Sequence, residues 1–317
     1  MPFRRTMLVA LALGVLLPGM TAAPASAARR GKEFPVPTNG GPFDITAGPD
    51  GNLWFTDETA DLVGRITPAG SVTEFVLPTT GDRLEGITAG PDGNLWFAEE
   101  YGQRIGRITT AGVVTEFPLP GARYPYGITA GPDGNLWFTE LFARRIGRIT
   151  TSGVITEFLI PNNLAEPYGI AAGPDGNLWF AESANVIGRI TTAGVVTEFP
   201  LPTSGALPVG IALGPNGNLW FAEDGAKQIG TITMSGAVTE FPVPTASAEP
   251  FDIAAGADGN LWFTELDGNR IGRITTAGVV TEFVIPTVRA FPFGITTGPD
   301  GNVWFTESIG KIGALRP

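Results

Sequence analysis

The sequence predicts an all-β fold, a β-propeller of seven four-stranded antiparallel blades. The octapeptide Gly-Pro-Asp-Gly-Asn-Leu-Trp-Phe occurs seven times with at most one change, first at 48–55. All seven Trp share one position in it, at intervals of 41 or 42 residues, a period typical of propeller arrays. The two chain ends also complement each other as parts of one blade. The Trp positions are Trp54, Trp96, Trp137, Trp179, Trp220, Trp262 and Trp304.

Each repeat contains four short β-prone segments separated by turns. In the turn at 90–93, Pro presets φ and Gly supplies the positive φ. The fourth segment ends at Pro118, because Pro cannot donate to a β-ladder. The repeat therefore predicts one antiparallel blade. In the second copy the predicted strands are 86–89, 94–99, 105–109 and 113–117.

The predicted blades are apolar on both faces, so each needs a neighbour on either side. Closure into a ring provides those neighbours without a long exposed edge, and we expect each Trp to pack between two blades. The seventh copy stops at 311–317 with three strands, whereas 32–37 matches the fourth-strand segment 115–120. We therefore expect the N-terminal strand to complete the last blade, and residues 28–317 to form a single domain.

Residues 1–27 have the pattern of a secretory signal peptide. Arg4 and Arg5 precede an apolar run at 7–17, and small residues predict cleavage near Ala27. The apolar run is too short to span a bilayer and no later segment qualifies. We therefore predict a secreted or extracytoplasmic monomer without a membrane span.

Composition excludes several chemistries. The net charge of −11 opposes nucleic-acid binding, because an acidic protein repels phosphate backbones. With no Cys and no His, the chain has no disulfides, thiolate metal sites or serine–histidine–aspartate triad. The Gly-rich turns recur in every repeat, which indicates hairpins rather than a phosphate-binding loop.

The repeat resembles a known enzyme family. The stretch 125–140, followed by Ile-Gly-Arg-Ile-Thr at 146–150 and Ile-Thr-Glu-Phe at 155–158, closely resembles the virginiamycin B lyase (streptogramin B lyase) family of seven-bladed propellers. The resemblance extends from about 31 to 317. It implies magnesium-dependent ring opening of a cyclic depsipeptide antibiotic by elimination, and hence antibiotic resistance. A base would remove a proton beside a carbonyl while a cation stabilises the negative charge.

The residues that the resemblance implies for this chemistry are replaced here. The family's two Pro-His motifs correspond to Pro250-Phe251 and Pro292-Phe293, and its two acids to Phe291 and Ser308. Phe neither ligates magnesium nor takes up a proton. The family mechanism would therefore need other residues in this chain.

The residue that opens each innermost strand is expected near one mouth of the central channel. This mouth series is mostly aromatic with one carboxylate, a surface that suits a small molecule, peptide or glycan. The rings could equally well fill the channel mouth. The mouth series, in blade order, is Phe43, Glu85, Tyr126, Tyr168, Val209, Phe251 and Phe293.

A second series places one acid after every Trp-Phe strand. We expect these acids to cap strands or to pair with the repeated arginines, such as Arg65 and Arg107. The alternative is a ring of acids around a cation. The series is Asp57, Glu99, Glu140, Glu182, Glu223, Glu265 and Glu307.

Acids that depart from the repeat are better candidates for a site. Asp44 and Asp252 replace the usual Gly before the innermost Ile, and Glu85 and Glu100 occupy the second-blade positions equivalent to the family's His and distal acid. We hypothesise that Glu85 and Glu100, next to Glu58 and Asp44 of the first blade, bind magnesium or calcium, which favour oxygen ligands. Solvated acids at the rim are the simpler interpretation.

Three functions remain open from sequence alone. The first is a lyase-like propeller that binds a ligand at the channel mouth, and the second is a divalent-metal-dependent lyase that uses Glu85 and Glu100. The third is an interaction scaffold of the cell envelope. An open channel with converging acids would favour the enzyme, an open aromatic channel would favour binding, and a filled one would favour the scaffold.

Overall fold

The computed structural model describes residues 31–121, 123–164 and 166–317. These residues form 28 strands and no helix, so the described part holds no helix that could cross a membrane. The predicted signal peptide, residues 1–27, lies outside the described residues. The predicted all-β fold is confirmed.

The strands form seven antiparallel sheets of four, the blades 1 to 7. The innermost strands of blades 1 to 7 are β2 (Pro42–Ala47), β6 (Leu84–Ala89), β10 (Pro125–Ala130), β14 (Pro167–Ala172), β18 (Pro208–Leu213), β22 (Pro250–Ala255) and β26 (Pro292–Thr297). The second strands are β3 (Leu53–Asp57), β7 (Leu95–Glu99), β11 (Leu136–Glu140), β15 (Leu178–Glu182), β19 (Leu219–Glu223), β23 (Leu261–Glu265) and β27 (Val303–Glu307). The third strands are β4 (Leu62–Ile66), β8 (Arg104–Ile108), β12 (Arg145–Ile149), β16 (Val186–Ile190), β20 (Gln228–Ile232), β24 (Arg270–Ile274) and β28 (Lys311–Leu315). The outermost strands are β5 (Val72–Val76), β9 (Val114–Pro118), β13 (Ile155–Leu159), β17 (Val196–Pro200), β21 (Val238–Pro242), β25 (Val280–Val284) and, in blade 7, β1 (Lys32–Pro35).

The ring closes as predicted, with the N-terminal strand as the fourth strand of blade 7. β1 pairs antiparallel with β28, and Phe34 lies opposite Ile312. The Phe34 ring stacks on Trp304 with centroids 5.6 Å apart, and Lys311 Nζ lies 3.0 Å from Glu33 Oε2. Apolar burial, the β-ladder and an ion pair therefore all hold β1 in blade 7, where the two ends of the chain meet.

Each Trp packs between two blades, as expected. Trp54 of blade 1 has no exposed surface and packs against Leu84, Ile87 and Phe97 of blade 2. Its indole Nε1 donates to Asp50 Oδ1 at 3.0 Å, so the buried polar atom is satisfied. The repeated octapeptide therefore builds the contacts between blades.

The repeated arginines pair with the turn acids, not with the acids that follow the Trp-Phe strands. Arg65 stacks over the Trp54 ring at 5.5 Å and lies 3.8 Å from Asp50, and Arg107 repeats this with Trp96 and Asp92. The expected pairing of those arginines with the acid series was wrong. The strand register explains this, because the arginine lies directly opposite the Trp.

Candidate functional site

An irregularity in every innermost strand sets the direction of the mouth residues. The register between first and second strands shifts after the initial Pro or Leu and resumes at Ile, as between Pro125 and Ile128. Such a bulge turns a side chain out of the regular alternation. In four blades a threonine of the second strand also donates to the mouth residue's carbonyl in the next blade, as Thr139 Oγ1 does to Tyr168 O at 2.7 Å. Neighbouring blades thus position the mouth residues.

The predicted aromatic rings meet at the propeller axis. Phe43 is 6% exposed, and its ring centroid lies 4.9 Å from that of Phe293 and 6.0 Å from those of Phe251 and Tyr126. Tyr126 and Tyr168 make an edge contact at 5.4 Å. The rings therefore fill the axis at this end. A filled axis is the arrangement that favours the scaffold function over ligand binding at the axis.

A small chamber lies in the channel beside these rings. It measures about 70 Å³ and is lined by Phe43, Tyr126, Phe251 and the two acids Asp44 and Asp252. Asp44 accepts from the amides of Ile45 at 2.7 Å and of Ile87 on the next blade at 2.8 Å.

Asp252 makes the equivalent bridge to Ile295 at 3.0 Å. Burial raises the pKa of both carboxyls, and the charge of Asp44 raises that of Asp252 further. The two acids therefore link innermost strands of neighbouring blades through backbone amides.

A larger cavity opens beside the axis, at Val209. The neighbouring mouth residues Tyr168 and Phe251 form its walls, and its volume is about 190 Å³. Val209 is the smallest side chain of the mouth series, so the space that a ring fills elsewhere stays open here. Ser183 and Asp224 supply the polar groups. Apolar walls with a few placed polar groups are typical of small-ligand sites.

The charge around this cavity is negative. Burial raises the pKa of the half-buried Asp224, and Asp267 raises it further, whereas Lys227 lowers it. Burial also raises the pKa of Glu249, with Asp267 and Asp224 adding to the effect. A hydroxyl or cationic group of a ligand would meet acceptors here.

Three of the four carboxylates of the metal hypothesis do converge, but around an arginine, whereas Asp44 accepts from the Ile87 amide. Arg83 Nε lies 3.1 Å from Glu85 Oε1 and 3.4 Å from Glu58 Oε2, and its Nη1 lies 2.9 Å from Glu100 Oε2. The side chains of Glu85 and Glu100 are 0% and 3% exposed. Burial raises the pKa of Glu85 well above its usual range, although Arg83 opposes this rise. A metal ion here would have to displace the guanidinium, so binding of magnesium or calcium at Glu85 and Glu100 stays a prediction.

The positions at which the resemblance implies magnesium do not fit that ion. Phe251 and Phe293 pack edge to face with centroids 5.0 Å apart. Phe291 adopts a φ of 48°, and its carbonyl accepts from the Ser308 amide at 3.3 Å. Three of the four side chains have no donor atom for a hard cation.

Sequence reasoning missed Arg83 in one cluster and did not single out Val209, Ser183 and Asp224 in the other. Arg83 stands two residues before Glu85 in the sequence, but it precedes β6 and has a φ of 46°, so strand periodicity did not predict this contact. Ser183 and Asp224 belong to the variable position after the second strand, and Val209 to the mouth series. These residues form one cavity only because blades 4 and 5 are adjacent in the propeller.

Comparison with known proteins agrees with the fold and the motifs. Residues 29–315 match the model of the virginiamycin B lyase family. A 44-residue segment is 52% identical to the virginiamycin B lyase of Saccharopolyspora erythraea, and it covers 14% of this chain and 14% of that protein.

Solved structures match over nearly the whole chain. The crystal structure of selenomethionine-substituted virginiamycin B lyase from Staphylococcus aureus is 42% identical with a TM-score of 0.87, covering 91% of this chain and 99% of that one. The same values hold for a catalytically inactive histidine-to-alanine variant of that enzyme with quinupristin. A streptogramin B lyase structure is 41% identical with a TM-score of 0.88, covering 92% of this chain and 99% of the other.

Proposed function

Since the chain belongs to the virginiamycin B lyase family, we propose that it binds a small ligand at the propeller mouth without performing histidine-dependent ring opening. The cavity at Val209 carries this proposal. Its aromatic walls suit an apolar or ring-shaped group, while Ser183 and Asp224 orient a hydroxyl or amine. Small molecules, peptides and glycans that present such groups are the ligand class.

The amino-acid composition supports the second half of the proposal. The inactive variant of the Staphylococcus aureus enzyme has a histidine replaced by alanine, whereas this chain has no histidine. General acid–base chemistry needs a group that exchanges a proton within reach of the substrate. The aromatic rings of Phe251 and Phe293 supply none at the corresponding positions.

Calorimetric titration with quinupristin tests binding, because that compound accompanies a relative of this fold. The variant Val209→Phe should abolish the binding heat, since the larger ring fills the cavity. Phe occupies the same position in blades 1, 6 and 7, so this variant should fold. Unchanged affinity in Val209→Phe contradicts the proposed site.

A matched serine pair separates contact from general destabilisation. Ser183 and Ser308 occupy equivalent positions of blades 4 and 7, but only Ser183 lines the cavity. Ser183→Ala should weaken binding by roughly 0.5–1.5 kcal/mol, the usual net value of one hydrogen bond. Ser308→Ala should leave the affinity unchanged, and equal losses in both would count against the cavity.

The alternative is a divalent-metal-dependent lyase that uses Glu85 and Glu100, and the convergence of these acids favours it. Incubation with quinupristin, with and without magnesium, discriminates between the two functions. Elimination leaves the mass unchanged, so the product is followed by chromatographic retention and fragmentation. If a linear product forms only with magnesium and is lost in Glu85→Gln, the lyase function is supported and the proposal of binding without ring opening is rejected.

We also propose that the protein acts outside the cytoplasm, on the basis of the signal pattern at 1–27. N-terminal sequencing of the exported protein should find a start near residue 28. If no ligand of any class binds, the scaffold function of the cell envelope becomes the better interpretation.

A further inference from the structure

Every blade contains a buried acid at the end of its second strand and a second acid on its outermost strand. All seven acids of the first set have 0% exposure. The two acids project from the same face of the blade, as Glu99 and Glu116 do on either side of Gly106 in blade 2. Two carboxylates in so dry a position need a partner. The outer acids, in blade order, are Glu74, Glu116, Glu157, Glu198, Glu240, Glu282 and Glu33.

The other blades show which chemistry fills this position. In blade 2, Arg104 faces Glu99 across the ladder, and its Nε lies 2.7 Å from Glu99 and 3.7 Å from Glu116. In blade 3, Arg123 Nε lies 3.1 Å from both Glu140 and Glu157. Basic side chains face the acid in blades 6 and 7 as well, and blade 5 has the amide of Gln228 there.

Blade 1 satisfies its acid differently. The partner across the ladder is the apolar Leu62. However, Asp57 Oδ1 accepts from the Gly41 amide at 3.1 Å, the Thr59 amide at 3.0 Å and the Ala60 amide at 2.9 Å. The shorter acid therefore has its partners within its own blade.

Blade 4 has neither solution. Neither carboxylate oxygen of Glu182 accepts a hydrogen bond, which is also true of Glu223, Glu265 and Glu307. Of these four acids, however, only Glu182 faces an apolar residue across the ladder, Val186. Among the described residues, no Lys or Arg forms an ion pair with Glu182 or Glu198. Glu198 is half-buried and accepts from the Asn162 amide at 3.2 Å. Burial and the charge of Glu198 raise the pKa of Glu182 to about 8.

We propose that Glu182 and Glu198 bind one divalent metal cation at the position that a guanidinium occupies in blades 2 and 3. Two carboxylates balance the charge of such an ion, and an all-oxygen donor set selects a hard cation such as calcium or magnesium. The half-buried Glu198 marks the side from which the ion enters. The site lies on the face of blade 4 that packs Phe180 against Trp137 of blade 3, and both ligands come from blade 4.

The chain supplies matched variants for the test. Glu182→Gln removes one ligand, and Val186→Arg supplies the internal cation that Arg104 provides in blade 2. Glu265→Gln is the control, because it removes the equivalent acid from blade 6, where Arg270 faces it. Circular-dichroism melting checks folding, and Glu198→Gln replaces Val186→Arg if that variant does not fold.

Isothermal titration of the chelator-treated chain with calcium chloride, and separately with magnesium chloride, measures binding without any organic ligand. We expect one ion per chain, with at least about tenfold weaker affinity in Glu182→Gln, the low end for disturbing a metal site. Val186→Arg should bind equally weakly, and Glu265→Gln should bind like the parent. The proposal fails if neither ion binds the parent, or if binding survives in Glu182→Gln. The latter result would place the ion elsewhere, and loss in Glu85→Gln would then identify the cluster around Arg83.

Discussion

Buried carboxyls without cationic partners should make this propeller less stable in alkaline than in mildly acidic solution. Glu223 of blade 5 is the clearest case, because it is 0% exposed and faces the neutral Gln228. Burial, and then the charge of Glu240, raises its pKa from 4.5 to about 8. The folded protein therefore holds this proton more tightly than the unfolded chain does.

The direction of the effect follows from proton linkage. The contribution of Glu223 to stability is complete below about pH 4.5, declines as the pH rises, and is lost above about pH 8. Each pH unit between the two pKa values corresponds to about 1.4 kcal/mol. Glu223 alone can therefore lower the free energy of unfolding by at most about 5 kcal/mol between pH 4.5 and 9.

Denaturant titrations at pH 5 and pH 9, monitored by fluorescence of the seven buried Trp, measure this effect. Glu223→Gln keeps the shape of the protonated acid and cannot ionise, so its free energy of unfolding should match the parent near pH 5 and exceed it by several kcal/mol at pH 9. Glu240→Gln removes the charge that raises the pKa of Glu223 in addition to burial, so it should reduce the loss of stability at pH 9 by less than Glu223→Gln does. An equal difference between Glu223→Gln and the parent at both pH values would refute the reasoning.

Two other substitutions and one deletion test the architecture. Arg83→Met leaves the buried Glu85 and Glu100 without a cation and should cost about 3–5 kcal/mol in denaturant titrations; a loss below about 1 kcal/mol would mean that the guanidinium does not neutralise them. Trp137→Ala should also cost about 3–5 kcal/mol, whereas an unchanged unfolding midpoint would show that this Trp does not join two blades. Deletion of 32–37 exposes the edge of β28 and should lower the melting temperature and promote association; a monomeric deletion variant with an unchanged melting temperature, by size-exclusion chromatography and circular dichroism, would contradict closure by β1.

Most of the fold could be predicted from the repeat, because strands that are apolar on both faces must be buried between neighbouring blades. A segment such as Leu95–Phe97 is apolar on both faces, and β7 is fully buried as a result. The strand boundaries in blade 2 lie within two residues of those predicted, because Pro and the Gly at positive φ end the strands locally. Closure by β1 could also be predicted, since the fourth strand that the seventh repeat lacks at the C-terminal end is present at the N-terminal end.

The candidate site was only partly readable from the sequence. Aromatic rings of the mouth series do meet, and the departures from the repeat identified three acids that do converge. The sequence did not show that Arg83 lies among them, because Arg83 precedes β6 and contacts Glu58 of blade 1 as well as Glu85 and Glu100 of blade 2. The sequence also did not show that the aromatic rings contact one another at the axis, or that a cavity remains open beside Val209.

The sequence alone therefore determined the number of blades, the closure of the ring and the burial of every Trp, because each depends on a pattern repeated along the chain. Tertiary structure decided which acids are neutralised, which rings touch and where a cavity remains. Those outcomes depend on side chains that differ between blades and meet only when the ring closes. Glu182 and Glu223 illustrate the difference: their positions in the repeat are identical to that of Glu99, but Val186 and Gln228 stand across the ladder where Glu99 has the cation Arg104.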